Sequence, residues 1–443
     1  MSDLQTGFSR AVITPPLGVG LAGYFSPRPN TGVLDDLFVR VCLFRQDGHT
    51  TGLVQWDLLE STSWMVDELR SQLAEVEIDY ADDLVIGATH THTAPEVRLA
   101  RDAAHHFGLD FVLRQTVAAV QSAEMSLAPS RISVSTVVCN PFAFNRRFWM
   151  KDGTVITNPG KRNPDIERPE GDVDREITVL RITQGGRLAG LLANIVNHTD
   201  TIGGDLVSAD WPGFLERETS RRLGWQVPVL TLVGASGNIN HFDVTSELDQ
   251  ASYEESRTIG EGYARIVAQA MEAEASPCEG ALRSASMELP FHKREISPEV
   301  LARAKAVMAE GEPEEGVFTS EDLAKGAPGV LRYFAQQLIQ YAAEEAGTII
   351  PFRLSAIAFG NDLAIVSLPG EPFTEIGQAI KQASPFATTL VVTNANGYAG
   401  YVCMPECYER GGYEPLPVEH GGGGPDMAPA MIQAATDLLT SLA

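Results

Sequence analysis

Apolar residues recur along the chain in two rhythms. Short apolar or alternating runs of strand length occupy residues 37–44, 52–56, 84–88, 131–138, 177–182, 188–196, 227–233, 282–291, 352–359, 363–368 and 389–393. Between them lie longer stretches with apolar positions every three or four residues: 57–75, 107–125, 210–224, 253–274, 373–382 and 426–442, and a helical pair within about 297–347. The first rhythm is that of strands and the second that of helices. Their interleaving predicts an α/β fold, a mixed sheet flanked by helices, with the helical pair as an insertion or lid.

Local signals place several boundaries. Asp57 follows a strand and is expected to open the helix that runs to Glu75. Asp210 reads as an N-cap with Pro212 in the first turn, and Gly224 as the stop. Ser297-Pro298 reads as the start of the helical pair. Residues 140–174 show little periodicity but contain Asn145-Arg146-Arg147-Phe148-Trp149. A loop of that length inside a compact domain is usually disordered or functional, and the aromatic pair beside two arginines argues for function.

The unusual polar residues fall just after strands. His90, His92, His198, Asn238, Glu371 and Tyr401 all stand at such ends, where open α/β sheets bind their ligands. If the strand persists past Ala88, His90 and His92 share one face, because strand side chains alternate. Imidazoles bind metals and move protons. Taken singly, each residue has a plainer use. A lone His-x-His pair or His198 serves equally well as a hydrogen-bonded strand end, Glu371 as a carboxylate at a helix N-terminus, Arg146-Arg147 as a solvated pair, and Tyr401 as packing.

Composition narrows the function classes. The formal net charge is −25, from 33 basic and 58 acidic residues. That balance argues against nucleic acid and anionic membrane surfaces as partners. No run approaches the ~20 apolar residues of a spanning helix, so no stable membrane insertion is expected. The N-terminal residues lack a basic segment leading into an apolar one, so the expected location is the cytoplasm. The five scattered cysteines read as reduced thiols.

Six pieces in order carry a family resemblance. Ala88-Thr-His90-Thr-His92-Thr-Ala-Pro95 resembles the Ala-Thr-His-Thr-His-Ser-Gly-Pro stretch of the neutral (alkaline) ceramidase family. Asn145-Arg146 resembles its Asn-Arg motif, His198 its second histidine-bearing strand end, and Gly234-Ala-Ser-Gly-Asn238 its Gly-Asp-x-Ser-Pro-Asn loop, with Ala235 where the family has Asp. Pro369-Gly-Glu371-Pro-Phe373 resembles its Pro-Gly-Glu-Phe segment, and Asn396-Gly-Tyr398-Ala-Gly-Tyr401 with Tyr413-Glu414 its tyrosine motifs.

The resemblance implies a zinc hydrolase acting on an amide bond. It implies His90, His198, Glu371 and Tyr401 as ligands, with Tyr398 as the alternative tyrosine. It places His92, Arg146 and Tyr413 around the scissile amide, and Asn238 and Tyr398 become substrate-binding candidates. The expected unit is one α/β catalytic domain over residues 1–443 without a C-terminal immunoglobulin-like domain. The expected substrate is a small-molecule or lipid-like amide: ceramide or another N-acyl or cyclic amide. A zinc esterase or lactonase, and a non-catalytic binding protein, are the competing readings.

Overall fold

The structure is a computed structural model that describes residues 3–25, 28–98, 103–310, 322, 325–343, 347–417 and 423–443. Its larger sheet is built from β1 (Gln5–Val12), β2 (Phe38–Gln46), β3 (His49–Trp56), β4 (Leu84–Ala88), β5 (Ala128–Val138), β6 (Glu176–Gln184), β7 (Arg187–Ile195) and β8 (Val229–Val233). Their spatial order is β8-β7-β6-β5-β1-β2-β3-β4, with β9 (Ser276–Cys278) beside β5. The β3–β4 and β7–β8 pairs are parallel. β4 and β8 are buried along their whole length, as expected of strands covered on both faces.

A second sheet packs face to face on the first. It comprises β10 (Leu282–His292), β11 (Ile349–Phe359), β12 (Leu363–Ser367) and β13 (Thr388–Val392). Between the sheets, Leu53, Val85 and Leu232 meet Ile357, Ile365 and Leu390, and the Phe44 and Phe359 rings touch edge to face at 5.0 Å. Each such buried side chain contributes about 1.5–3 kcal/mol. The helices lie outside. α1 (Ser63–Glu75) and α2 (Ala103–Met125) cover β1–β4. α3 (Asp210–Leu223) and α4 (Tyr253–Glu272) cover β6–β8 around Trp211 and Tyr263.

The remaining helices belong to the second half of the chain. α5 (Pro298–Ala309) and α6 (Pro328–Ala343) lie between β10 and β11, which pair through Phe291↔Ile350 and His292↔Ile349. The helical pair is therefore the loop of a long hairpin. It opens where expected, with Ser297 Oγ accepting from the Val300 amide. Residues 311–321, 323–324 and 344–346 of the expected helical stretch lie outside the described residues. α7 (Thr374–Ala383) and α8 (Met427–Leu442) cover the second sheet. Among the described residues no helix is long and apolar enough to cross a membrane, and the five cysteines are free.

Three local expectations change. Asp57 does not open α1, which begins at Ser63 after Thr62. Its fully buried carboxylate instead accepts from Arg40 at 2.9 Å and from the Phe38 amide. Asp210 is the first residue of α3 rather than its cap, with a left-handed φ of 56°, and its carboxylate gathers the Thr201 and Trp211 amides. Residues 140–174 are not irregular throughout but carry four short strands. Arg147–Met150 pairs with Val155–Thr157 and Ile166–Pro169, and Phe144–Asn145 with Ile239–Asn240. Strands this short are below the length at which a period of two can be read.

Strands of both sheets end together. The Ala88 amide donates to Asn394 O, that of Thr393 to Val233 O, and that of Leu368 to Val392 O. The segments after β4, β7, β8, β12 and β13 therefore meet at one edge, and these are the segments with the polar residues.

Candidate metal centre and its pocket

β4 stops at Ala88, so His90 and His92 do not share a face by strand alternation. His90 adopts a left-handed φ of 68°, a strained conformation for a histidine, of the kind that clusters at active sites and costs of order 1–3 kcal/mol. The turn is held by the Thr89 amide on Trp56 O and by His90 Nδ1 on Leu59 O at 2.7 Å. His92 Nδ1 faces Gly23 O at 2.8 Å. A Cβ on Gly23 would stand 2.7 Å from the His92 ring, so that loop tolerates only glycine. His198, just beyond β7, turns Nδ1 toward Ser236 O at 3.3 Å.

A carbonyl can only accept, so each Nδ1 carries a proton, and each ring, when neutral, directs a bare Nε2 lone pair inward. Those atoms converge. His90 Nε2 lies 3.0 Å from His198 Nε2 and 3.4 Å from His92 Nε2. Glu371 Oε2 stands 3.2 Å from His90 Nε2 and 3.5 Å from His198 Nε2.

Glu371 follows Gly370, whose φ of 71° makes the turn. The two-residue strand Glu371–Pro372 runs beside Tyr401–Val402 in register, setting Glu371 opposite Tyr401. Tyr398 donates its hydroxyl to Glu371 Oε1 at 2.6 Å. Glu371 Oε2 is buried without another hydrogen-bond partner; the nearest nitrogen, His90 Nε2 at 3.2 Å, donates to it only when that ring is doubly protonated.

The three histidines could hold a metal ion. Ligands about 2.0–2.1 Å from a tetrahedral ion stand roughly 3.3–3.4 Å apart, close to the separations here. Four such atoms facing one another call for positive charge between them, from a metal ion or a shared proton, and carbonyls on the outer nitrogens commonly orient protein histidines for a metal. The residues present fit a metal.

Without a metal ion, the electrostatics favour a positive charge at the same point, as a proton on His90 facing Glu371. Burial raises the Glu371 carboxyl, but His90, His198 and the Tyr398 hydroxyl outweigh it and hold the group below the usual carboxylate range. Burial lowers His90, yet Glu371 more than offsets this and the net shift is upward. Burial and the neighbouring His90 hold His92 down to about 4 and push His198 down as well.

Arg146 and Arg147 are both buried rather than solvated. Arg146 Nε reaches Glu414 Oε1 at 3.2 Å and Nη2 donates to Gly237 O at 2.6 Å, with the guanidinium 5.2 Å from the Tyr401 ring centre and 5.3 Å from that of Tyr413. The Tyr401 and Tyr413 hydroxyls are 3.1 Å apart. Arg147 turns away, into Glu170 and into Glu414 Oε2 at 2.6 Å. Asn238 does not line the pocket. Its amide joins Glu375 to the Thr374 amide at the start of α7, and its carbonyl accepts from the Arg146 amide.

A cavity of about 760 Å³ opens onto this cluster, lined by His90, His92, Arg146, Glu371, Tyr398, Tyr401 and Tyr413. One wall is a string of aromatic rings, Phe25–Tyr333–Phe334–Tyr413–Tyr401, each 5.3–6.1 Å from the next. Tyr333 and Phe334 come from α6, so the helical pair walls the pocket. Elsewhere Tyr24 sets its ring edge on His92, and Asp200 lines the cavity. Sequence reasoning assigned no role to Asp200, His241, Glu60 or the α6 aromatics. Asp200 had a signal in its place two residues after His198, whereas Tyr333 and Phe334 had none beyond helical period.

Fold and donor set define an α/β protein with a buried histidine-rich site, able to hold a metal ion, onto which a cavity opens. No protein-family model and no curated protein matches the sequence. Among solved structures the chain is similar to neutral ceramidase from Pseudomonas aeruginosa, with a TM-score of 0.73 at 19% identity over 99% of this chain and 74% of that one. It is similar also to a ceramidase complexed with C2, with a TM-score of 0.73 at 18% identity over 99% and 75%. The fold is neutral-ceramidase-like.

Proposed function

We propose that the protein is a zinc-dependent hydrolase that cleaves an amide bond in a small-molecule or lipid-like N-acyl or cyclic amide. The observation that carries the reading is the inward convergence of His90, His198 and Glu371 acceptor atoms on a shared point inside a cavity. In this reading these three residues and Tyr401 hold the ion. Bound zinc lowers the pKa of water toward ~7 and polarises a carbonyl.

The chain's own groups supply the rest. Arg146 and the Tyr413 hydroxyl are donors for the charge that develops on the amide oxygen, usually the largest catalytic term. His92, partly exposed to the cavity with its own proton on Nδ1 toward Gly23 O, takes a proton at Nε2 from the attacking water and passes it to the leaving nitrogen. Tyr398 fixes the Glu371 carboxylate through Oε1. The aromatic wall excludes water beside Arg146.

A second assignment is favoured by the clustering of the three histidines: His92 as a third nitrogen ligand in place of Tyr401. Elemental analysis decides between them, since the first assignment keeps the metal in His92→Ala and the second loses it. The function itself is tested by treating the protein with chelator, restoring zinc, and following a matched N-acyl amide and ester. Turnover of the amide that disappears with the metal and returns with zinc supports the proposal. Equal rates with and without metal, or turnover of the ester alone, sink it.

A further inference from the structure

Among the carboxylates lining the cavity that the proposed hydrolysis does not use, Asp200 stands beside the histidines, whereas Asp249 caps the Ala251 amide. Asp200 Oδ1 accepts from His241 Nδ1 at 3.1 Å, and His241 Nε2 donates to Gln250 O at 2.6 Å. Both ring nitrogens face acceptors, so His241 is the doubly protonated imidazolium. It is buried and fixes Asp200 in one orientation as a carboxylate.

Asp200 Oδ2 accepts no hydrogen bond among the described residues, and the residue lines the cavity. A carboxylate oriented from behind and left open toward the cavity is an acceptor for a ligand's donor, because a ligand that covers it without offering one leaves the charge unmatched. Its place says which half of a substrate it meets. It follows His198 by two residues; Thr199 O, just before it, accepts from the His92 amide at 3.2 Å, and Tyr24, whose ring meets that of His92, donates to Ile202 O just after it at 3.4 Å. The aromatic string lies instead beside Arg146 and Tyr413.

We propose that Asp200, oriented by His241, is the specificity-determining acceptor of the site. It receives a hydroxyl or ammonium N–H carried on the amine half of the amide, while the acyl half lies along the aromatic wall. The words "amine half" rest on the amide-hydrolase reading, but the acceptor role does not. A hydrogen bond to a charged group discriminates by roughly ten- to a hundredfold.

The probes are N-octanoyl-2-aminoethanol, N-octanoyl-ethylenediamine and the methyl isostere N-octanoyl-propylamine, tested on the zinc-loaded full chain. Wild type should favour at least one donor-bearing amide over the isostere by about tenfold or more in kcat/KM, and the favoured member tells hydroxyl from ammonium. Asp200→Ala should collapse that ratio to near one, and His241→Gln should reduce it by loosening the carboxylate. Asp200→Asn, which keeps the shape, covers the case in which the alanine variant does not fold. No preference in wild type, or a preference unchanged in Asp200→Asn and Asp200→Ala, overturns the proposal. If none of the three amides is hydrolysed, the hydrolase reading fails. The acceptor role is then read from calorimetric Kd values of the same three amides, with the same ratios expected.

Discussion

The Nε2 atoms of His90 and His198 face each other at 3.0 Å, while the Nδ1 atom of each ring is turned to a backbone carbonyl. Two neutral imidazoles arranged this way present lone pair to lone pair. With Glu371 Oε2 on the same point, the pair is a strained arrangement until a cation joins it. Removing either ring should abolish metal binding. His90→Ala should therefore lose both zinc, by elemental analysis of folded protein, and amide turnover. Full zinc retention in that variant sinks the centre as drawn.

His92 is expected to act on the substrate side. His92→Ala should keep its metal and lose about 10²–10⁴ in kcat, the range of general acid–base catalysis. Loss of the metal instead would make His92 a ligand.

Tyr413→Phe removes one hydroxyl and keeps the ring on Phe334 and Tyr401. If that hydroxyl meets the developing oxyanion, kcat should fall about 10²–10³ with thermal stability little changed. An unchanged kcat removes Tyr413 from the mechanism.

Arg147 serves stability rather than chemistry. It is fully buried against Glu170 and Glu414, so Arg147→Met strands buried carboxylates and should cost about 3–5 kcal/mol in denaturant unfolding. A loss below about 1 kcal/mol contradicts this role.

Glu60 is buried beside Leu59, with Arg98 at 4.0 Å. Burial pushes its carboxyl up to about 8, Arg98 opposes this, and Glu96 and Glu371 add to it. The folded chain thus keeps a proton that the unfolded chain releases near 4.5. This contribution to stability is present below about 4.5 and is lost as pH rises to about 8. In chelator-treated protein, the stability of Glu60→Gln relative to wild type should climb across that window and level above it. A flat difference between pH 5 and 9 refutes the assignment.

Much of the site could be read without coordinates because each candidate stands where apolar periodicity stops. His90, His198, Glu371 and Tyr401 were found as polar residues at the ends of buried runs, and in the structure those ends meet. Asn238 carried the same signal but faces α7, since a strand end tells where a residue lies and not where its side chain points. Arg146 and Arg147 are adjacent in sequence and look alike there. Only the pairing of Phe144–Asn145 with Ile239–Asn240 sends one toward the tyrosines and the other toward Glu170.

Local patterning by itself determined the alternation of strands and helices, the helical pair before β11, and the set of chemistry-bearing strand ends. These depend on side-chain period and capping over a few residues. Tertiary structure decided the second sheet, the left-handed turn at His90, the use of α6 as a pocket wall and the Asp200–His241 pair. A buried apolar run is equally apolar whichever surface covers it, so Phe44 cannot announce Phe359 as its partner. A histidine's ring nitrogens are assigned by carbonyls from distant segments, such as Gly23 for His92 and Ser236 for His198, and those contacts exist only once both sheets have closed on each other.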